Sequence, residues 1–135
     1  SEAGNMGKII AACAGKKPIL GICLGHQAIA EYLGAKLNNM SSVYHGVKNK
    51  INILSNEEIF EGIPEKIEVG RYHSWEVVRE GLPENISITA EDENGTIMAL
   101  SDASQKLYGI QFHPESVMTE YGEEMIQNFL KIAQS

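Results

Sequence analysis

A cysteine stands between two glycines, each two residues away, in Gly21-Ile22-Cys23-Leu24-Gly25, directly after the apolar run Pro18-Ile19-Leu20. This pattern reads as a strand that ends in a sharp turn and opens into a helix, with the thiol at the tip. It is the nucleophile-elbow layout with sulfur in place of the usual serine oxygen. Such a turn is tight: its neighbourhood excludes a Cβ, and one residue must adopt strained dihedrals. The helix start sets unpaired N–H groups and the positive end of the helix dipole beside the sulfur, which favours the thiolate. Far down the chain, Tyr108-Gly109-Ile110-Gln111-Phe112-His113-Pro114-Glu115-Ser116 is an apolar strand running into a His-Pro-Glu tip. Proline disfavours a helical conformation for the residue before it, so His113 is expected to be extended. Residues two apart then share a side, which brings Glu115 to the imidazole. A carboxylate that orients an imidazole, which in turn deprotonates a thiol, is the general logic of nucleophilic catalysis. Cys23 is thus the candidate nucleophile, His113 the base and later the acid, and Glu115 the orienting group. Singly, each has a plainer reading: a buried structural cysteine, a histidine at a strand end, a solvated carboxylate. The two motifs together favour the chemistry.

The elements that must position these residues follow from pattern. Apolar spacing and terminators predict helices over 6–14, 26–33 and 123–132, the second stopped at Gly34. Strands are expected over 17–23, 50–54, 66–71, 74–78, 86–91, 96–101 and 107–112, with a short helical turn over 57–60. Asp92-Glu93-Asn94-Gly95 signals a hairpin. A strand-helix start, many strands and a closing helix imply an α/β fold, a mixed sheet flanked by helices. No internal repeat or low-complexity tract interrupts it.

The two catalytic motifs, Gly-Ile-Cys-Leu-Gly-His-Gln at 21–27 and Gly-Ile-Gln-Phe-His-Pro-Glu-Ser at 109–116, resemble those of the class I (triad-type) glutamine amidotransferases. Tyr44-His45-Gly46 and Arg71-Tyr72-His73-Ser74 resemble the glutaminase subunit of anthranilate synthase and of aminodeoxychorismate synthase. The similarity runs over essentially the whole chain. It implies the flavodoxin-like fold of that family, with a largely parallel central sheet. It implies hydrolysis of L-glutamine through a Cys23 thioester and delivery of ammonia to a chorismate-using synthase subunit in a hetero-oligomer. Anthranilate synthase, and hence tryptophan biosynthesis, is the first choice; aminodeoxychorismate synthase, in folate biosynthesis, is the second. A GMP-synthase-type amidotransferase ranks lower, because Arg71-Tyr72-His73-Ser74 fits the chorismate group better. The resemblance also implies glutamine contacts at Gln27, Ser74 and Trp75, and an oxyanion donor at the Leu24 N–H. Read without it, Gln27 would be a surface glutamine and Trp75 a packing or interface aromatic. In the family, a segment like Ser1-Glu2-Ala3-Gly4 follows a glycine-rich loop, itself preceded by a β-α-β stretch. Residues 1–135 therefore read as one amidotransferase domain lacking its N-terminal part. That loop supplies a second oxyanion donor, so a truncated, non-catalytic binding module is the rival reading. A cysteine hydrolase acting on another acyl substrate is a third.

The resemblance implies no metal or organic cofactor. Cys23 and His26 are three apart, but a structural zinc site wants four ligands and no second pair exists. Gly4-Asn5-Met6-Gly7-Lys8 lacks the spacing and the Ser/Thr of a phosphate loop. The 135 residues form one domain by length. A hydrophobic share of 43% and a charged share of 21% suit a core-forming soluble chain. A net charge of −7 argues against nucleic acid or an anionic membrane surface as partner. No apolar run has the length to span a bilayer. Two cysteines in a chain that needs a free thiolate fit a reducing cytoplasm without a disulfide.

Overall fold

A computed structural model describes residues 2–39, 47–56, 58–72 and 75–134, with residues 2–5 and 47 described by their backbone alone. The elements, in order, are α1 (Glu2–Cys13), β1 (Ile19–Ile22), α2 (Leu24–Tyr32), β2 (Leu37–Asn39), β3 (Val47–Ile53), β4 (Lys66–Arg71), β5 (Trp75–Val77), β6 (Ser87–Asp92), β7 (Ile97–Asp102), β8 (Leu107–Ile110) and α3 (Gly122–Gln134). Single 3-10 turns lie at Glu58–Phe60 and Ala103–Gln105. Among the described residues, six strands form one sheet in the order β1-β8-β7-β6-β3-β4, and β2 pairs with β5 in a separate ribbon.

The sheet is mixed and flanked by helices, as expected, but its parallel pairing is confined to β1 and β8. The other neighbours in the described sheet are antiparallel. The reason is local. Tight turns join β6 to β7 and β7 to β8, and a short connection can only reverse the chain. The Asp92–Gly95 turn shows how: Asp92 Oδ1 accepts the N–H groups of Asn94 and Thr96, each at 2.8 Å, and Gly95 takes φ +83°. β1 stands at the edge of the described sheet, pairing with β8 in parallel after a long crossover through the other strands.

Apolar cores lie on both faces. On one, Ile10 of α1 and Ala28, Ile29 and Ala30 of α2 pack with Ile97, Leu100 and Leu107. On the other, Met125 of α3 packs with Ile51, Ile67, Val69, Met98, Ile110 and Phe112. β8 alternates between them: Leu107 and Gly109 face α2, whereas Tyr108 meets Phe129 of α3 edge-on with ring centroids 6.3 Å apart. Asn128 fastens α3 to the Glu58–Phe60 turn, donating to the carbonyls of Ile59 and Glu61 at 2.9 and 3.0 Å. The acidic Glu123 and Glu124 in the first turn of α3 and Lys131 in the last suit the helix dipole. No helix among the described residues is long and apolar enough to cross a membrane.

Candidate active site

The parallel pairing of β1 and β8 assembles the site. Ile22 lies opposite Ile110, so Cys23 and Gln111 emerge side by side from adjacent carboxyl ends. In open α/β sheets this is where ligands bind. Cys23 forms the elbow: its φ is 55° and ψ −103°, and its N–H donates to the Ile110 carbonyl at 2.9 Å. A non-glycine residue with positive φ is uncommon, and the anchoring on both sides over-determines it. Of the two flanking glycines, only Gly21 is required by space. A Cβ there would stand 2.5 Å from the carbonyl carbon and oxygen of Gly25, and 2.7 Å from Cδ1 of Ile29. A Cβ on Gly25 would meet nothing within 4 Å. The expectation that both glycines answer the same crowding is corrected accordingly: α2 lies down on Gly21 through the backbone of Gly25.

Cys23 is the N-cap of α2 without capping it through its side chain. The Leu24 N–H instead donates toward the sulfur, while the Leu24 side chain is exposed. Burial pushes the Cys23 thiol above its ordinary value, and the Glu115 carboxylate adds to the rise. The Leu24 N–H and the Gln111 amide pull in the other direction without prevailing. The sequence expectation that the helix start favours thiolate is therefore right in sign but outweighed by desolvation.

His113 Nδ1 lies 3.0 Å from Glu115 Oε2. With that nitrogen committed to the carboxylate, Nε2 is the one left to take a proton. The contact is made through a turn and not along an extended strand: Ser116 N–H donates to the His113 carbonyl at 3.2 Å, and Thr119 Oγ1 donates to the same oxygen at 2.7 Å. Thr119 Oγ1 also accepts the Gly70 N–H at 3.1 Å, which ties the His-Pro-Glu turn to β4. Tyr72 packs edge-on against the His113 ring with centroids 5.3 Å apart. These two residues, Glu115 and Ser116 line an open hollow of about 340 Å³. Among the described residues, no hydrogen bond joins His113 to Cys23; the side-chain partner of the sulfur is Gln111, whose Nε2 lies 3.7 Å away.

Gln27 is buried on the first turns of α2, not on the surface as its sequence context alone suggests. Its Nε2 donates to the Trp75 carbonyl at 3.3 Å and to Gln111 Oε1 at 3.2 Å. Trp75 opens β5 with its side chain partly exposed, and its carbonyl accepts from Gln27. His26 is fully buried against Gly109, where a Cβ would meet its Nδ1 at 2.7 Å; this makes it part of the packing between α2 and β8. Ser74, His73, Tyr44, His45 and Gly46 lie outside the described residues. Gln111, Tyr72 and Thr119 were not anticipated. Strand alternation from Leu107 and Gly109 gives the face of Gln111 but not its burial.

A cysteine on a strained elbow, with a paired His and Glu following the neighbouring parallel strand, is an arrangement compatible with thiol-nucleophile chemistry on an α/β fold. Comparison with known proteins narrows the class: the model of the family "Glutamine amidotransferase class-I" matches residues 1–133, and the chain belongs to that family. It is 43% identical over 131 residues to the anthranilate synthase component 2 of Lactococcus lactis, covering 96% of this chain and 66% of that protein. It is 41% identical over 130 residues to the aminodeoxychorismate/anthranilate synthase component 2 of Bacillus subtilis, again covering 96% and 66%. A crystal structure from Thermoplasma acidophilum, assigned to the GMP synthase type, superposes with a TM-score of 0.89 at 32% identity, covering 98% of this chain and 64% of that one. The chain thus spans just under two-thirds of the length of these relatives.

Proposed function

We propose that residues 1–135 form one amidotransferase domain that performs the glutaminase half-reaction of a chorismate-using synthase. The observation that carries this reading is the placing of Cys23, at φ 55° on its elbow, on the strand neighbouring the one that leads to the His113–Glu115 pair. Cys23 sulfur attacks the side-chain amide carbon of L-glutamine. The amide C–N bond breaks, His113 Nε2 returns the proton to the departing nitrogen, and ammonia leaves a γ-glutamyl thioester. Water, deprotonated by the same imidazole, then releases glutamate and the thiol. The Leu24 N–H receives the oxyanion. Glu115 orients the imidazole and stabilises it when charged. Gln27, Ser74 and Trp75 hold the glutamine. Gln27 does so with an amide already directed at the Trp75 carbonyl, which supports a role in shaping the pocket. No cofactor enters the reaction, and ammonia passes to the synthase partner in the cytoplasm.

An anthranilate synthase subunit is the proposed partner, and an aminodeoxychorismate synthase subunit the second, on the strength of relatives at 41–43% identity. The TM-score of 0.89 with a GMP-synthase-type chain favours a further alternative. The test is to combine the protein with each synthase subunit. The chorismate-using partner is expected to form a complex whose glutamine-dependent synthesis is abolished by Cys23→Ser while ammonia-dependent synthesis persists. Loss of both activities contradicts the division of labour. A stable complex that never releases ammonia from glutamine identifies a non-catalytic binding module instead.

A further inference from the structure

Gln111 is fully buried and lies in the sequence between the strand and the catalytic turn. Its main chain is fixed, because its N–H donates to the Met98 carbonyl at 2.8 Å. Its side chain continues the α2-facing alternation of Leu107 and Gly109, so it meets Gln27 and the elbow and not the α3 core. The orientation of its amide follows from its neighbours. The Trp75 carbonyl can only accept, so Gln27 must present its nitrogen on that side. The same nitrogen faces Gln111, which must answer with its oxygen, 3.2 Å away. That leaves the nitrogen of Gln111 toward Cys23 Sγ, at 3.7 Å. Donation therefore spreads from Gln27: its nitrogen donates to the β5 carbonyl and to Gln111, and Gln111 donates in turn to the sulfur.

We propose that Gln111 is a catalytic residue of the glutaminase site: its amide N–H, oriented by Gln27, holds the Cys23 sulfur and stabilises it as the thiolate. The inference rests on the glutaminase reading above and adds to it a donor on the nucleophile itself. Gln27 is then a positioning residue as well as a glutamine contact. Its amide reaches both β5, which borders the proposed glutamine pocket, and the residue that touches the sulfur. The need for such a donor is physical. The thiol is half-buried, its pKa is raised by that burial and by the Glu115 charge, and the Gln111 amide counts among the contacts opposing the rise. Among the described residues, Glu115 is a charged group whose field reaches the sulfur, and α1 turns Met6, Ile9 and Ile10 toward this side. A second donor from a neutral amide tunes the sulfur without adding a charge that the departing ammonia or the glutamine carboxylate would meet.

The test reads the thiol directly, without glutamine or partner. The pH dependence of iodoacetamide alkylation at Cys23 is measured in the full chain by intact mass, for wild type, Gln111→Leu and Gln111→Glu. Gln111→Leu is expected to raise the midpoint by about one pH unit, so that alkylation below the midpoint slows about tenfold. Gln111→Glu, which replaces the donor by a second carboxylate, is expected to raise it further. A Gln111→Leu protein with native circular dichroism and an unmoved midpoint overturns the proposal. If Gln111→Leu does not fold, Gln27→Leu decides: it frees the Gln111 amide to turn, and an unchanged midpoint there equally overturns the relay. Because the readout needs no turnover, a chain that never hydrolyses glutamine can still confirm or refute the contact, and the two failures are told apart.

Discussion

Two glycines placed symmetrically about the nucleophile are predicted to respond to alanine with opposite signs. In Gly21→Ala the new Cβ arrives 2.5 Å from the Gly25 carbonyl carbon and oxygen and 2.7 Å from Ile29 Cδ1. Carbon atoms rest about 3.5–4.0 Å apart, so β1 and α2 must separate by roughly 1 Å. Neither neighbour yields easily: one is backbone, and Ile29 is fully buried. Overpacking of this kind costs about 1–3 kcal/mol, and a backbone partner places Gly21→Ala near about 3 kcal/mol. In Gly25→Ala the Cβ meets nothing within 4 Å, and Gly25 lies in α2. Relieving a helical glycine is worth about 0.5–1 kcal/mol in the favourable direction. The two substitutions should therefore differ by about 3–4 kcal/mol, a large part of the roughly 5–15 kcal/mol that holds a domain folded. Urea titration checks this. With a slope near about 2 kcal/mol/M, Gly21→Ala should unfold at about 1.5 M less urea than wild type, and Gly25→Ala at slightly more. An unchanged midpoint for Gly21→Ala, or an equal fall for both, would refute the reasoning that α2 seats on Gly21 alone.

Further substitutions test the supports of the site. A Cβ on Gly122 would fall 1.8 Å from the Pro114 carbonyl oxygen, so α3 and the His113-Pro114-Glu115 turn cannot both keep their places. Gly122→Ala is expected to lower kcat by about tenfold to a hundredfold with circular dichroism retained, since misplacement on the ångström scale has that effect; unchanged kcat contradicts the coupling. Asp102 is buried, which pushes its carboxyl up, but donors from Ser104, Asn85 and Gln105 prevail and hold it below the usual range. Its folded value is thus below its unfolded one, and its stabilisation is present above about pH 4 and lost as pH falls through the folded value. Asp102→Asn should cost about 1–3 kcal/mol at neutral pH and flatten the acid limb of the urea stability curve; an acid limb identical to wild type contradicts the assignment.

Much of this architecture was legible in the chain because burial and punctuation agree there. Lys66–Arg71 alternates and is bounded by turn residues, and the strand stands where the pattern puts it. Gly34 stops α2 with φ +100°, as a helix terminator should. Two kinds of feature escaped. Leu37–Asn39 forms a strand although two of its residues are asparagines, because it needs only the edge of Trp75–Val77 as partner; pairing of this kind overrides propensity. The turn after β7 is capped by Asp102, whose side chain accepts the Ser104 N–H, a local signal in Asp-Ala-Ser that period counting passes over. In the site, Cys23, His113 and Glu115 stand out because glycine and proline mark their turns. Gln27 and Gln111 carry no such mark. Their burial depends on α2 lying across the ends of β1 and β8, a fact of tertiary packing that no window of sequence contains. The balance at the sulfur has the same origin: the helix start is local and readable, whereas the desolvation that outweighs it comes from the assembled fold.

The central claim is that Cys23 serves a pocket built for glutamine. It is tested most directly by exposing the protein to a glutamine-mimicking diazoketone, alone and with its synthase partner, and reading the intact mass with glutamine as competitor. The account predicts a single adduct at Cys23 that glutamine suppresses and Cys23→Ser abolishes. Alkylation of Cys23 by a generic reagent, with no reaction toward the mimic even in the complex, would contradict it.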